Sequence, residues 1–235
     1  MISPRVLVIE NEPAAGPGKV GDWLIAEGIE LEICRPYAGD LVPDQLKFAG
    51  LMVLGGSVGP HDDHDAPWLP AVKELLRTAV HQEIPTWGIC LGAQLLAVAL
   101  GGKAERGANG SEVGVQPLQI DPTSDPLFKD LPATAYALQF HQEAVTKLPE
   151  GAVLLASNEA YQNQVFRIGA CAWGVQFHPE VSTTEVQTWD RLYPEVGSQS
   201  RGRQEIEIEQ SELDATWAEV SKRWAKQVKE HASNS

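Results

Sequence analysis

The sequence predicts an α/β fold with a mostly parallel central sheet and a C-terminal helical extension. Short apolar runs alternate with helix-length segments from Arg5 to Leu100. The runs Arg5–Ile9, Leu51–Leu54 and Pro85–Ile89 are apolar and short, as expected of strands covered on both faces. Strands that alternate with helices of about a dozen residues imply βαβ units. Right-handed crossovers then bring the loops at the carboxyl ends of the strands to one edge.

The elements follow in order. Arg5–Ile9 is a buried strand, Gly18–Glu27 has helix-like spacing, and Ile29–Ile33 alternates. Leu51–Leu54 is a second buried run and Trp68–Val80 is amphipathic. Pro85–Ile89 is a strand that leads through Cys90 into an apolar helix over Leu91–Leu100. The loops at Glu10, Gly55 and Cys90 are expected on the shared edge. From Gly114 onward helices thin out. Val113–Ile120, Ala135–Phe140, Val153–Ser157, Gln164–Ile168 and Ala172–Phe177 read as short strands of a β-rich half. Pro194–Arg203, rich in glycine, serine and charge, reads as a linker, and Glu205–Glu209 alternates Glu and Ile. Ser211 is expected to cap a helix, with Asp214 at its third position. Leu213, Trp217, Val220, Trp224 and Val228 form one apolar stripe. That stripe packs on its own domain or, since Trp pairs make good anchors, on a second copy in a homodimer.

The turn at Cys90 is the most informative segment. Gly88-Ile-Cys90-Leu-Gly92 is a nucleophile elbow, with a glycine two residues to either side of the thiol. The turn is tight, so a Cβ at either glycine would meet neighbouring backbone. The elbow places Cys90 at the start of a helix, where free N–H groups and the helix dipole favour the reactive thiolate. Downstream, Trp173–Phe177 reads as a strand ending in His178-Pro179-Glu180. Proline stops the ladder just after His178, and Glu180 is near enough to hold the imidazole in one tautomer. Nucleophile, base and orienting carboxylate are the parts of covalent thiol catalysis.

Composition narrows the class. With 235 residues, 43% of them hydrophobic and 21% charged, the chain is expected to form one sizeable globular core with an appendage. A net charge of −14 without a basic stripe argues against nucleic acid as a partner. No apolar stretch is long enough to span a bilayer, so no membrane association is expected. Three cysteines suggest a reducing compartment, and Met1–Glu10 lacks the form of a signal peptide, so a cytoplasmic setting is expected.

Together these residues resemble the class I, triad-type glutamine amidotransferases. The resemblance rests on Gly88-Ile-Cys90-Leu-Gly92-Ala-Gln94, on Gln176-Phe-His178-Pro-Glu180, and on Gly55-Gly56-Ser57-Val58-Gly59-Pro60 after a buried strand. It covers roughly Arg5 to Glu185, with the three motifs in the family's order. Gln164–Gly169 leading into Ala172–Glu180 is similar to the stand-alone domains like the glutaminase part of GMP synthase. The resemblance implies a flavodoxin-like three-layer sandwich over residues 1–193, with residues 194–235 as linker and amphipathic helix. It implies that Cys90 attacks the side-chain amide of glutamine, that His178 moves the protons, and that Glu180 orients His178. Backbone N–H groups of Gly56 and Leu91 would hold the oxyanion. Gln94 would help to seat glutamine, and Ser111, Glu112 and Val113 would contact its amino-acid end. No metal or cofactor is implied. Residues after Glu185 are expected to be too few and too polar for a second catalytic domain, so the ammonia acceptor would be a separate synthetase or amine-acceptor subunit.

Other residues have competing readings. Cys34 and Cys171 lie in strand-like runs and read as core. His61-Asp62-Asp63-His64-Asp65 has metal-ligand chemistry, yet a solvated rim loop is the simpler reading. The Gly55–Gly59 loop lacks the lysine and hydroxyl of a phosphate cradle. His81 and Glu83 read as solvent-facing. His141 suits a structural role or the mouth of the site, and His141-Gln142 mildly supports a γ-glutamyl hydrolase instead of a glutaminase. A non-catalytic module that keeps the fold is the third reading, although none of the three catalytic residue types is missing.

Overall fold

The computed structural model describes residues 3–121, 125–198, 208 and 210–234. A nine-stranded sheet runs through the centre. Its first half is parallel and contains β1 (Arg5–Ile9), β2 (Glu30–Cys34), β3 (Gly50–Val53), β4 (Thr86–Ile89) and β11 (Ala172–Val175). Its second half is antiparallel and contains β6 (Glu112–Ile120), β7 (Thr134–His141), β9 (Val153–Ser157) and β10 (Val165–Ile168). The spatial order is β2-β1-β3-β4-β11-β10-β9-β6-β7. The β-rich half expected after Gly114 is the antiparallel extension.

Strand alternation sorts the core into two layers. Val6 and Val8 of β1 face one side, with α1 (Gly18–Ala26) and α6 (Gln210–Asn234) packed over them. Leu7 and Ile9 face the other side, covered by α2 (Leu69–His81) and α3 (Leu91–Ala99). Helices on both faces of the sheet make three layers. Among the described residues no helix is long and apolar enough to cross a membrane.

The C-terminal stripe is buried within the chain. Trp217, Val220, Trp224 and Val228 join the same cluster as Trp87, Trp173 and Phe177. The Trp224 and Trp87 rings pack tilted, 5.7 Å apart. Lys19 of α1 holds the Asp214 carboxylate at 2.7 Å, and Lys229 reaches Glu27 at 3.0 Å. The stripe is therefore unavailable for pairing two chains.

Two local expectations are corrected. Ser211 does not cap α6, because the helix already includes Gln210; the Asp214 carboxylate binds Gln210 and Lys19. Pro194 does not open an irregular linker but begins a short helix, α5 (Pro194–Ser198), as proline can at a first helical turn. The remainder of the expected linker, and the Glu205–Glu209 alternation apart from Ile208, lie outside the described residues. Helix α4 (Thr183–Leu192) goes beyond the elements expected from the sequence. A capping box starts it: Ser182 Oγ accepts from the Glu185 N–H, and the Glu185 carboxylate accepts from the Ser182 N–H at 2.7 Å. A small two-stranded sheet, β5 (Lys103–Arg106) with β8 (Glu143–Lys147), is likewise new.

Because Trp224 is fully buried against Trp87, Trp224→Ala is expected to cost about 3–5 kcal/mol. A urea titration should show a lowered midpoint at an unchanged slope.

Candidate active site

Cys90 stands where β4 ends and α3 begins. Its φ is 51°, a left-handed value that a non-glycine residue adopts only under constraint. Two close approaches impose it. A Cβ at Gly88 would lie 2.6 Å from Gly92 backbone, and one at Gly92 would lie 1.9 Å from the Val53 carbonyl oxygen. The Cys90 N–H donates to the Val175 carbonyl at 2.8 Å, and the Cys90 carbonyl accepts from Gln94 N–H at 3.0 Å. Leu91 opens α3, so its N–H has no partner within the helix.

β11 lies beside β4 with Ile89 opposite Val175, which brings the chain after β11 to Cys90. There the His178 N–H donates to the Leu138 carbonyl at 2.8 Å, and Nδ1 donates to Glu180 Oε1 at 2.7 Å. The other ring nitrogen is left for Cys90, which lies with His178 beside Gly55. Both His178 and Glu180 are buried. Glu180 is anchored from behind, where its carbonyl accepts from Lys19 N–H at 2.9 Å. Gly18, at φ 43°, passes so near that a Cβ would sit 2.2 Å from that oxygen.

The Gly55-Gly56 loop follows β3. Asn11 steadies it by donating to the Leu54 carbonyl at 2.9 Å while accepting from Trp68 Nε1 at 3.2 Å. A Cβ on Gly55 would come 3.1 Å from His178 Cε1, and one on Gly56 would come 3.0 Å from Leu91 Cδ2. The loop is thus held against both Cys90 and Leu91. Ser57 is tied to Glu12 through its N–H at 3.0 Å and its hydroxyl at 2.5 Å.

These groups open into a cavity of about 370 Å³. Its walls include Cys90, His178, Gly56, Gln94 and His141. Gln94 is buried and donates to the Glu143 carbonyl at 2.9 Å. Ser111, Glu112 and Val113 are buried at the start of β6 and are not on the cavity wall. Glu112 instead accepts from His141 at 3.0 Å, Gln164 at 2.7 Å and Asn158 at 2.6 Å. It thereby backs the His141 side of the cavity. One wall goes beyond the residues expected from the sequence: Trp189, Tyr193, Glu195 and Val196 from α4 and α5, with Glu12 opposite. The Ser182-x-x-Glu185 pattern is the available signal for that wall.

The His61–Asp65 loop is engaged elsewhere. His61 Nε2 meets the Ala104 carbonyl at 3.1 Å, Asp62 accepts from Gly59 N–H at 2.7 Å, and Asp63 pairs with Lys73 at 2.7 Å. Among the described residues no group of three or more His, Cys, Asp or Glu is arranged to hold a metal ion.

Residues 22–189 match the family model described as glutamine amidotransferase class-I. The chain is 32% identical to γ-glutamyl peptidase 3 of Arabidopsis thaliana, covering 66% of this chain and 64% of that protein. It is 37% identical to one subunit of the glutamine-hydrolysing GMP synthase of Methanocaldococcus jannaschii, covering 51% of this chain and 63% of that one. It thus spans a little under two thirds of each of these relatives. Among solved structures it is similar to a glutamine amidotransferase from Thermotoga maritima, with a TM-score of 0.78, 26% identity and full coverage of both chains. A glutamine amido transferase from Methylobacillus flagellatus aligns at a TM-score of 0.79 and 25% identity, over 98% of this chain and 96% of that one.

Electrostatics set the protonation of His178. Burial, the largest influence, opposes the charged ring, but the combined attraction of Glu180 and Cys90 outweighs it and raises the imidazole well above its usual 6.5. A raised value means that the imidazolium stabilises the fold fully below about pH 6.5 and loses that contribution as pH climbs through the folded value. In a proton NMR titration the His178 ring is expected to change above pH 6.5 in the wild type. In Glu180→Gln the transition should move to lower pH, and chemical denaturation should show less loss of stability on the alkaline side.

Proposed function

The chain belongs to the class-I glutamine amidotransferase family, and from this we propose that it hydrolyses the side-chain amide of glutamine and supplies ammonia to an acceptor on a separate partner protein. The observation that carries this reading is the shared cavity. In it a cysteine at a helix N-terminus lies beside His178, itself held by Glu180 at 2.7 Å.

The reaction runs in two halves. His178 takes the Cys90 thiol proton as Sγ attacks the amide carbon. The negative oxygen of the tetrahedral intermediate is held by the N–H groups of Leu91 and Gly56, two residues in contact through the Leu91 side chain. The intermediate collapses, the C–N bond breaks, and His178 gives its proton to the departing nitrogen, leaving a γ-glutamyl thioester and ammonia. Water then attacks the thioester with His178 as base, releasing glutamate and restoring the thiol. Glu180 holds the ring in one tautomer throughout. Gln94 seats the substrate, while Ser111, Glu112 and Val113 lie behind the wall and act on the substrate side only through His141, which Glu112 holds. A separate synthetase as partner is favoured by the likeness to a GMP synthase component that is a chain of its own. A cytoplasmic setting suits three cysteines that are all unpaired.

A second reading is hydrolysis of γ-glutamyl amides or peptides by the same thioester chemistry. It is favoured by the likeness to a γ-glutamyl peptidase and by a cavity that continues past His178 to Trp189, Tyr193 and Glu195. The deciding assay compares kcat/KM for glutamine with that for γ-glutamyl dipeptides, with and without candidate synthetases. Glutamine is expected to be the better substrate, and Cys90→Ser to lower its turnover by about 10³-fold or more. Faster cleavage of the dipeptides would establish the second reading. Turnover of neither, together with no reaction of Cys90 with a glutamine-mimicking electrophile, would overturn both.

A further inference from the structure

His178 serves two atoms in turn, the sulfur of Cys90 and the leaving nitrogen, so its ring must be held against rotation. The Nδ1 bond to Glu180 and the backbone bond to Leu138 fix where the ring is attached. They leave it free to swing about the Nδ1 contact, because the second side-chain torsion of histidine is broad. Two neighbours limit that swing. One is Gly55, which passes close to Cε1. The other is Trp189, whose indole meets the imidazole edge-on, with ring centres 4.9 Å apart and planes at 71°.

Trp189 is itself immobilised. It is 8% exposed and packs tilted against Phe140 at 5.6 Å, in a cluster with Val181, Val186 and Leu213. The helix that carries it is capped at Ser182, two residues after Glu180. The indole also forms part of the cavity wall, on the side of the reacting atoms.

We propose that Trp189 is a positioning residue, which holds the His178 imidazole with its free nitrogen on Cys90 and shields that pair from water. The inference rests on the thiol-hydrolase reading above, but part of its test needs no substrate. The ionisable groups acting on the ring are Cys90 and Glu180, so the pH profile of Cys90 alkylation reports their coupling through His178. Iodoacetamide labelling of the Cys90 peptide, followed by mass spectrometry, reads that profile. Cys34 and Cys171 are both pushed up by burial, Cys171 to about 11, and so react slowly near neutral pH.

Two folded apolar variants, Trp189→Leu and Trp189→Met, are expected to slow alkylation near pH 7 by about tenfold and to move its profile to higher pH. Glutamine kcat should fall by a similar factor with KM within about threefold. Trp189→Phe, which restores an aromatic edge, should stay within about threefold of wild type on both measures. Leu192→Ala, at an exposed position of the same helix off the cavity wall, should leave the alkylation profile in place. Apolar variants with the wild-type profile would overturn the proposal. So would a phenylalanine variant as slow as the leucine one, or an equal loss in Leu192→Ala. If the alkylation results come out as expected while the wild type turns over no glutamine, the brace stands and the glutaminase reading falls.

Discussion

The rest of the structure depends on the contact between the first turn of α3 and the end of β3. Gly92 lies against the Val53 carbonyl so closely that no side chain fits between them. That contact lets α3 start immediately after β4 and forces Cys90 to φ 51°. A non-glycine residue in that region costs on the order of 1–3 kcal/mol and persists only where its surroundings over-determine it. Here they do, since eight of the nine residues of α3 are buried and the Cys90 N–H is tied to Val175. The strain is thus held by the packing of a helix and by one hydrogen bond to the neighbouring strand.

The remaining parts are brought to that point by separate means. The Gly55 loop is steadied by Asn11 and Trp68, whereas Glu180 is held from behind by the N-terminus of α1. The wall over His178 comes from α4 and α5. Helix α6, the last element, does not reach the cavity wall; it closes the opposite face of the sheet with Trp217 and Trp224. Its contribution to the site is indirect, through α1, which it grips at Lys19 and Glu27, and through Leu213, which packs in the cluster around Trp189.

Much of this is legible in the sequence because the constraints are local. Gly88, Cys90 and Gly92 sit within five residues, and the approach that requires Gly88 is to the Gly92 backbone across the same turn, even though the one that requires Gly92 comes from Val53 of β3. His178-Pro179-Glu180 carries its own signal, as do the apolar runs of β1, β3 and β4. Strands β5 and β8 are not legible, since Lys-Ala-Glu-Arg and Glu-Ala-Val-Thr-Lys present no clear apolar face. Pro194 punctuates a linker and opens a helix equally well, and only tertiary packing separates the two. The contact of Trp189 with His178 depends on where α4 lies, which no residue near Trp189 states. At Ser111, Glu112 and Val113 the sequence gives a position but not where a side chain turns. They sit at the expected place in the chain, yet Glu112 turns its carboxylate to a buried network of His141, Gln164 and Asn158.

The pairing of β4 with β11 has a consequence for how such a protein can change. Ile89 and Val175 are paired on neighbouring strands, so the segments that lead to Cys90 and His178 leave the sheet from points about 5 Å apart. The long stretch of chain between them does not set their separation. Its turns can lengthen, shorten or acquire new surfaces while Cys90 and His178 keep their spacing. The site is thereby insulated from the parts of the chain most free to diversify.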